Sequence, residues 1–293
     1  MKTLQTIFLA LLLSTFSSAY AGDCFKDRDV ADCRVKAEQG NVGAQNNLGM
    51  MYNFGLGVVQ DSKEAAKWTR LAAEQGAAIA QYNLGKMYLE GNGVTQDYKE
   101  GAKWTRLAVE QGHAGAQYNL GVMHQEGQGV AQDHKQAVKW TRLAAEQGYA
   151  QAQFNLGWMY YRGQGVAQDY KEAIKWARLA AEQGHAQAQT NLGWMYYRGQ
   201  GVAQDYKEAI KWWRLAAEQG DASAQYSLGL RYTDGQGVVQ DSVMAHMYFN
   251  IAVAGGHESA NAIKIIGLVE KEMTPSQKAE AQKLARQWMK KHP

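Results

Sequence analysis

The chain has 293 residues, of which 46% are hydrophobic, 20% charged and 11% aromatic, and its formal charge is +3. A composition this apolar excludes an intrinsically disordered chain, because enough surface can be buried to offset the entropy of ordering. Two Cys exclude a disulfide-dense scaffold or a zinc-finger array, and so small a charge, with no basic run before the last residues, excludes a nucleic-acid binder. The 31 Gly against 2 Pro fit neither a collagen nor a linker, so they need a regular structural cause.

At the N-terminus, Met1 and Lys2 precede an apolar stretch from Leu4 to Phe16, then Ser17 to Ala21. Ala19-Tyr20-Ala21 fits small-x-small cleavage, which predicts a signal peptide over 1–21 and a mature chain from Gly22, periplasmic or secreted. The apolar core falls short of the about 20 residues of a spanning helix, and no other run is long enough for a transmembrane segment. The competing readings are weaker: a buried helix here matches nothing else in the chain, and Cys24 follows Asp23 rather than the small residue of a lipid-acceptor site.

Export permits a disulfide, and Cys24 and Cys33 are its only candidates. Unbroken helix would hold them about 13.5 Å apart, against about 7 Å for a bridge. Pairing therefore requires the chain to leave helix near Phe25 to Asp29, within a capping half-repeat over 22–40.

From there a period of 36 organises the chain. Ala-Glu-Gln-Gly, or a close variant, ends at Gly40, Gly76, Gly112, Gly148, Gly184, Gly220 and Gly256, which sets six repeats over 41–256 without an insertion. In the first repeat a helix runs from about Ala44 to Asn53, with Ala44, Leu48, Met51 and Tyr52 inward. The loop Gly55-Leu56-Gly57-Val58 follows; it lacks the third Gly and the Lys of a phosphate cradle and reads as a tight turn with positive φ. Asp61 then N-caps a second helix, with Glu64 placed to reach back as in a capping box. That helix carries Ala65, Trp68, Leu71 and Ala72 inward and stops at Gly76. Trp68, Trp104, Trp140, Trp176 and Trp212 share one place and are expected to glue neighbouring repeats.

The string Ala-x-Ala-Gln-x-Asn-Leu-Gly-x-Met-Tyr, then Gly-x-Gly-Val-x-Gln-Asp-Tyr-Lys-Glu-Ala-x-Lys-Trp, then Leu-Ala-Ala-Glu-Gln-Gly, resembles the Sel-one-like repeat. The related tetratricopeptide repeat has a period of 34 and a Pro near its end, whereas neither Pro of this chain lies in a repeat. The resemblance implies an all-α, right-handed α/α superhelical solenoid that scaffolds protein complexes, often as an exported bacterial protein. Residues 25–40 match only the second half of a repeat, with Asp32 in place of the Trp. Residues 257–293 read as C-terminal capping helices, the last one started by Thr274-Pro275-Ser276-Gln277.

Function is expected where the repeats differ. The third, sixth, tenth, thirteenth and fourteenth places of the repeat form one arc of the first helix, opposite the core. In related superhelical folds the first helices line the concave groove. The candidate partner-binding residues on this arc are Tyr82, Lys86, Tyr118, Phe154, Trp158, Tyr161, Arg162, Trp194, Tyr197, Arg198 and Tyr226, with aromatics densest in repeats four and five. Trp, Tyr and Arg are the usual anchors of interfaces. Self-packing of these rings is the bland alternative, and duplication is another, since residues 149–184 and 185–220 differ only at Tyr149/His185, Phe154/Thr190 and Ala177/Trp213.

Catalytic signals are lacking. The seven His are scattered, and there is neither Gly-x-Ser-x-Gly nor Ser-x-x-Lys. Some cysteine-rich relatives have been labelled β-lactamases, but this chain shares only the repeat with them. The reading is a non-catalytic interaction scaffold without cofactor or metal, binding a protein or peptide in the groove. The alternative is a cell-wall-directed factor that binds glycan or weakly hydrolyses β-lactams.

Overall fold

The computed structural model describes Cys24, residues 29–256 and residues 260–292. The signal peptide expected over 1–21 lies outside the described residues. Among the described residues there are 15 helices and no strand. Helix α1 (Val30–Glu38) is followed by six pairs: α2 (Val42–Phe54) with α3 (Ser62–Glu74), α4 (Ala78–Glu90) with α5 (Tyr98–Glu110), and α6 (Ala114–Glu126) with α7 (His134–Glu146). The series continues with α8 (Ala150–Arg162) and α9 (Tyr170–Glu182), α10 (Ala186–Arg198) and α11 (Tyr206–Glu218), and α12 (Ala222–Asp234) and α13 (Ser242–Ala254). Helices α14 (Ala260–Glu272) and α15 (Pro275–Lys291) end the chain, both packed on α13. The helices fall into two compact units, divided between Tyr149 and Ala150.

The two helices of each pair lie against each other through small residues. Ala44, Leu48 and Met51 are fully buried, as the spacing predicts, and their counterparts are buried in every later repeat. In the sixth repeat the Met place is taken by Arg231, a buried guanidinium paired with Asp234 at 3.0 Å. The Trp places also behave as expected. Trp68 packs with Cys33, Ala37 and Leu48, and Trp104 covers Ala72, Ala80 and Leu84, so each indole fills a seam between neighbouring repeats. Leu71, expected to face inward, is instead 37% exposed. On the helical wheel it falls about 60° outside the arc that runs from Trp68 to Ala73.

The glycines set how closely the chain approaches itself. Gly129, second in its loop, has φ 68, and a Cβ there would run into the Tyr98 carbonyl of the preceding second helix. At the helix crossings, a Cβ on Gly121 would strike the Thr141 hydroxyl. Of the 31 glycines, 24 occupy the same four places in six repeats, which accounts for the composition.

Asp61 accepts from the amides of Lys63 at 2.9 Å and Glu64 at 3.1 Å, and Asp97, Asp133, Asp169, Asp205 and Asp241 cap their helices in the same way. Glu64 does not reach back. A single Asp oxygen already holds both amides, and the Glu64 carboxylate pairs with Lys67 at 3.3 Å. The reciprocal box forms only at α15, where the Thr274 amide donates to Gln277 and the Gln277 amide to the Thr274 hydroxyl. Cys24 and Cys33 are bridged, with Cα atoms 5.2 Å apart. Asp29 between them is extended at φ −81 and ψ 94, so the chain leaves helix there as pairing requires.

Two first helices are capped by histidine. His113 Nδ1 accepts from the Ala116 amide at 3.1 Å and His185 Nδ1 from the Ala188 amide at 3.3 Å. Only an unprotonated Nδ1 can do this. Burial holds both imidazoles below the ordinary value of 6.5. The stability they contribute is therefore present above the unfolded-state pKa and lost as pH falls below about 6.5 through the folded value. The melting temperature should fall from pH 7 to pH 5. His113→Asn with His185→Asn should make it fall less, because Asn41 caps α2 from the same place. An unchanged slope in that double variant would remove the histidines from the account.

Paired side-chain amides tie the repeats of each unit. Gln75 Nε2 donates to Gln45 Oε1 at 2.7 Å, and Gln45 Nε2 donates to the Ala37 carbonyl at 3.1 Å. Gln111 with Gln81 and Gln219 with Gln189 repeat the arrangement. The sixth repeat has Gly255 where the others have Gln, and the buried Gln225 Oε1 is left without a partner. Gly255 has φ −78, the backbone that Gln75 adopts at −81. Gly255→Gln should supply the missing donor and raise stability by about 0.5–1.5 kcal/mol in a denaturant titration.

Candidate functional site

The eleven candidate residues separate by environment. In the first unit Tyr82 stacks on His113 at 4.7 Å between ring centroids, and Tyr118 lies against Tyr149 at 5.5 Å. Both tyrosines are half-buried, and burial, then Tyr149, pushes the Tyr82 phenol well above its ordinary value. Lys86 is exposed but pairs with Glu90 on its own helix at 3.6 Å. Tyr226, in the second unit, packs on Phe249 at 5.6 Å within the last hydrophobic cluster.

Six of the others surround one cavity in the second unit. Phe154, Trp158, Tyr161 and Arg162 come from α8, and Trp194 and Arg198 from α10, around a volume of about 360 Å³. That size is ordinary for a ligand recess. Helix α8 ends with Arg162 in its last turn and α10 with Arg198, one period apart, so the two helices present matching side chains to the same space. Trp158 is 40% exposed, with Tyr161 stacked beside it at 5.5 Å and 10° between planes. Arg162 lies 4.6 Å from the Trp158 ring centroid and Arg198 5.0 Å from that of Trp194, within cation–π range. The Tyr161 hydroxyl donates to Gln200 at 3.2 Å, which fixes the rim. Phe154 stacks on His185 at 4.7 Å, so the cap of α10 and the cavity wall share a contact.

Tyr197 stands behind this space. Its hydroxyl donates to Gln236 at 3.1 Å, and its ring lies 5.8 Å from Trp213. Sequence reasoning missed the floor, formed by Gly157, Ala173 and Ala177, and the polar lining of Asn191 and Gln200. Ala177 was visible as one of three differences between repeats four and five, but it sits on the second helix, away from the variable arc of the first.

Among the described residues no three His, Cys, Asp or Glu side chains converge as metal ligands would. None of the described helices is long and apolar enough to cross a membrane.

The Sel1 repeat profile matches six times, at residues 42–76, 78–113, 114–149, 150–185, 186–221 and 222–257. The chain belongs to the Sel1 repeat family. Sel1 repeat proteins generally act as protein–protein interaction scaffolds and are typically non-catalytic. A Sel1 repeat protein from Oxalobacter formigenes is similar at 34% identity and a TM-score of 0.70, over 77% of this chain and 99% of that one. Two further Sel1-type structures are also similar. One is c5321, a protective antigen of uropathogenic Escherichia coli strains displaying an SLR fold (28% identity, TM-score 0.47, 89% of this chain and 79% of that one). The other is a Sel1 repeat protein from Klebsiella pneumoniae (21% identity, TM-score 0.45, 70% of this chain and 99% of that one). No curated protein matches the chain.

Proposed function

We propose that this Sel1 repeat protein is an exported bacterial scaffold that holds a protein or peptide partner on the variable face of its first helices, without catalysing a reaction. The single observation that carries this reading is the cavity of repeats four and five, where Trp158, Trp194, Tyr161, Arg162 and Arg198 meet in one place. Aromatic side chains and arginine dominate the energetics of interfaces, and an indole left 40% exposed is available to a partner. Residues 1–21 act as a cleaved signal peptide, and the Cys24–Cys33 disulfide suits an oxidising compartment. The half-repeat over 22–40 and the helices over 257–293 cap the ends of the repeat array. The cavity lining holds no serine, lysine or cysteine, which favours binding over acyl transfer.

The test places a photo-crosslinking amino acid at position 158 in intact bacteria, with a control at Val59, which is 87% exposed and far along the sequence. A specific protein adduct at 158 and none at 59, identified by mass spectrometry, is the expected result. Retention on peptidoglycan that is lost in Trp158→Ala/Trp194→Ala, with no protein adduct, would select the cell-wall reading instead. The purified mature chain should begin at Gly22; an intact Met1 on the periplasmic or secreted protein would reject the cleavage.

A further inference from the structure

Repeats four and five have the same residue at all but three places, and two of the three exchange bulk across one interior contact. Repeat four has Phe154 on its first helix and Ala177 on its second; repeat five has Thr190 and Trp213. Beneath Gly193 the Trp213 indole fills the space between the helices, fully buried, with Nε1–H donating to the Thr190 carbonyl at 3.1 Å. Beneath Gly157 there is no such ring. The atoms closest to a Cβ placed there are the Ala173 carbonyl, the Ala177 amide and the Trp176 Cβ. In the first three repeats the same place holds Thr69, Thr105 and Thr141, each with its hydroxyl against the crossing glycine. Ala177 thus carries the smallest side chain of the series at the floor of the cavity.

Shape and charge together define what fits. A floor of alanine and glycine between two indoles accepts a flat apolar group and penalises a bare polar one. Arg162 and Arg198 bring two positive charges to the same lining, and among the described residues neither is paired with a carboxylate. The repeats on either side have Glu126 and Asp234 at that place, so the two cations are local to this cavity. A guanidinium stacked on a ring keeps its edge donors free for a carboxylate.

The geometry points to an anchor pocket for an acidic protein segment, with an aromatic or large aliphatic side chain over Ala177 and neighbouring carboxylates on Arg162 and Arg198. Asn191, on the same lining, offers its amide to the segment's backbone. This assignment rests on the reading of the face as a partner surface and names the partner's chemistry.

The probes are fluorescein-labelled hexapeptides: glutamates around one tryptophan, the same peptide with glutamines for glutamates, and the same with alanine for tryptophan. Fluorescence anisotropy with the purified full chain should show binding of the first alone. Phe154→Thr/Ala177→Trp rebuilds the interior that repeat five already has, so the fold tolerates it, and it should weaken binding by about tenfold or more. Arg162→Gln/Arg198→Gln should weaken binding similarly and flatten its salt dependence. Equal binding to the filled variant with an unchanged melting temperature would overturn the pocket, as would equal binding of the glutamine peptide. No binding of the acidic tryptophan peptide at millimolar concentration would also overturn it, and so would capture of a muropeptide in its place. The photo-adduct at position 158 separates the two levels. If it survives in cells carrying the filled variant, the pocket assignment falls and the partner face stands; if no adduct forms in any variant, the face falls as well.

Discussion

Trp213→Ala is expected to lower the stability of the second unit by about 3–5 kcal/mol, the largest loss for any single substitution considered. The indole is fully buried, lies 5.0 Å from the Trp194 ring and donates to the Thr190 carbonyl at 3.1 Å. Its removal leaves a void beneath Gly193 and an unpaired carbonyl, and both terms have the same sign. Trp158→Ala is the matched control. That ring is 40% exposed and closes no interior space, so its loss should cost less than about 1 kcal/mol. Hydrogen exchange at the amides of α10 and α11 would read the effect locally. A cost for Trp213→Ala no greater than that of Trp158→Ala would mean that the ring does not hold the pair together.

Gly129→Ala should cost about 3 kcal/mol. Its φ of 68 already disfavours a Cβ, by about 1–2 kcal/mol. The new methyl would also be driven into the Tyr98 carbonyl, which overpacks the loop against the preceding helix by about 1–3 kcal/mol. Gly112 separates the two terms. It has φ 78 but open space where a Cβ would go, so Gly112→Ala should show the backbone cost alone. Denaturant midpoints of the two variants give the difference directly, and equal midpoints would remove the contact from the explanation.

Much of the fold was legible because the chain states its structure six times. Asp61 and its counterparts mark helix starts by their side-chain chemistry, Gly55 and Gly76 mark ends by their φ, and Trp68 marks the seam by size. What was not legible depends on how helices meet. Leu71 fits a helical apolar stripe, yet it lies beyond the edge of the arc that the neighbouring helices cover. Glu64 has the spacing of a capping box, but Lys67 one turn on offers a charge while Asp61 already satisfies the amides. The first-helix arc picked out aromatic residues, and six of them with their arginines do line one cavity. Lys86 and Tyr226 fit the same arc, but an ion pair with Glu90 occupies one and a packing contact with Phe249 the other. Ala177 escaped notice because it is small, and an empty space leaves no residue to see.

The exchange of Phe154 and Ala177 for Thr190 and Trp213 bears on how such an array changes. Bulk has moved from one helix of the pair to the other, while the length of the repeat, its caps and its glycines stay the same. A rung of the ladder can thus be toggled between hollow and solid by two codons, with no insertion to disturb the register of its neighbours. An array built this way can relocate its recesses, or change their spacing, much as teeth are cut on a key blank whose shaft is never altered.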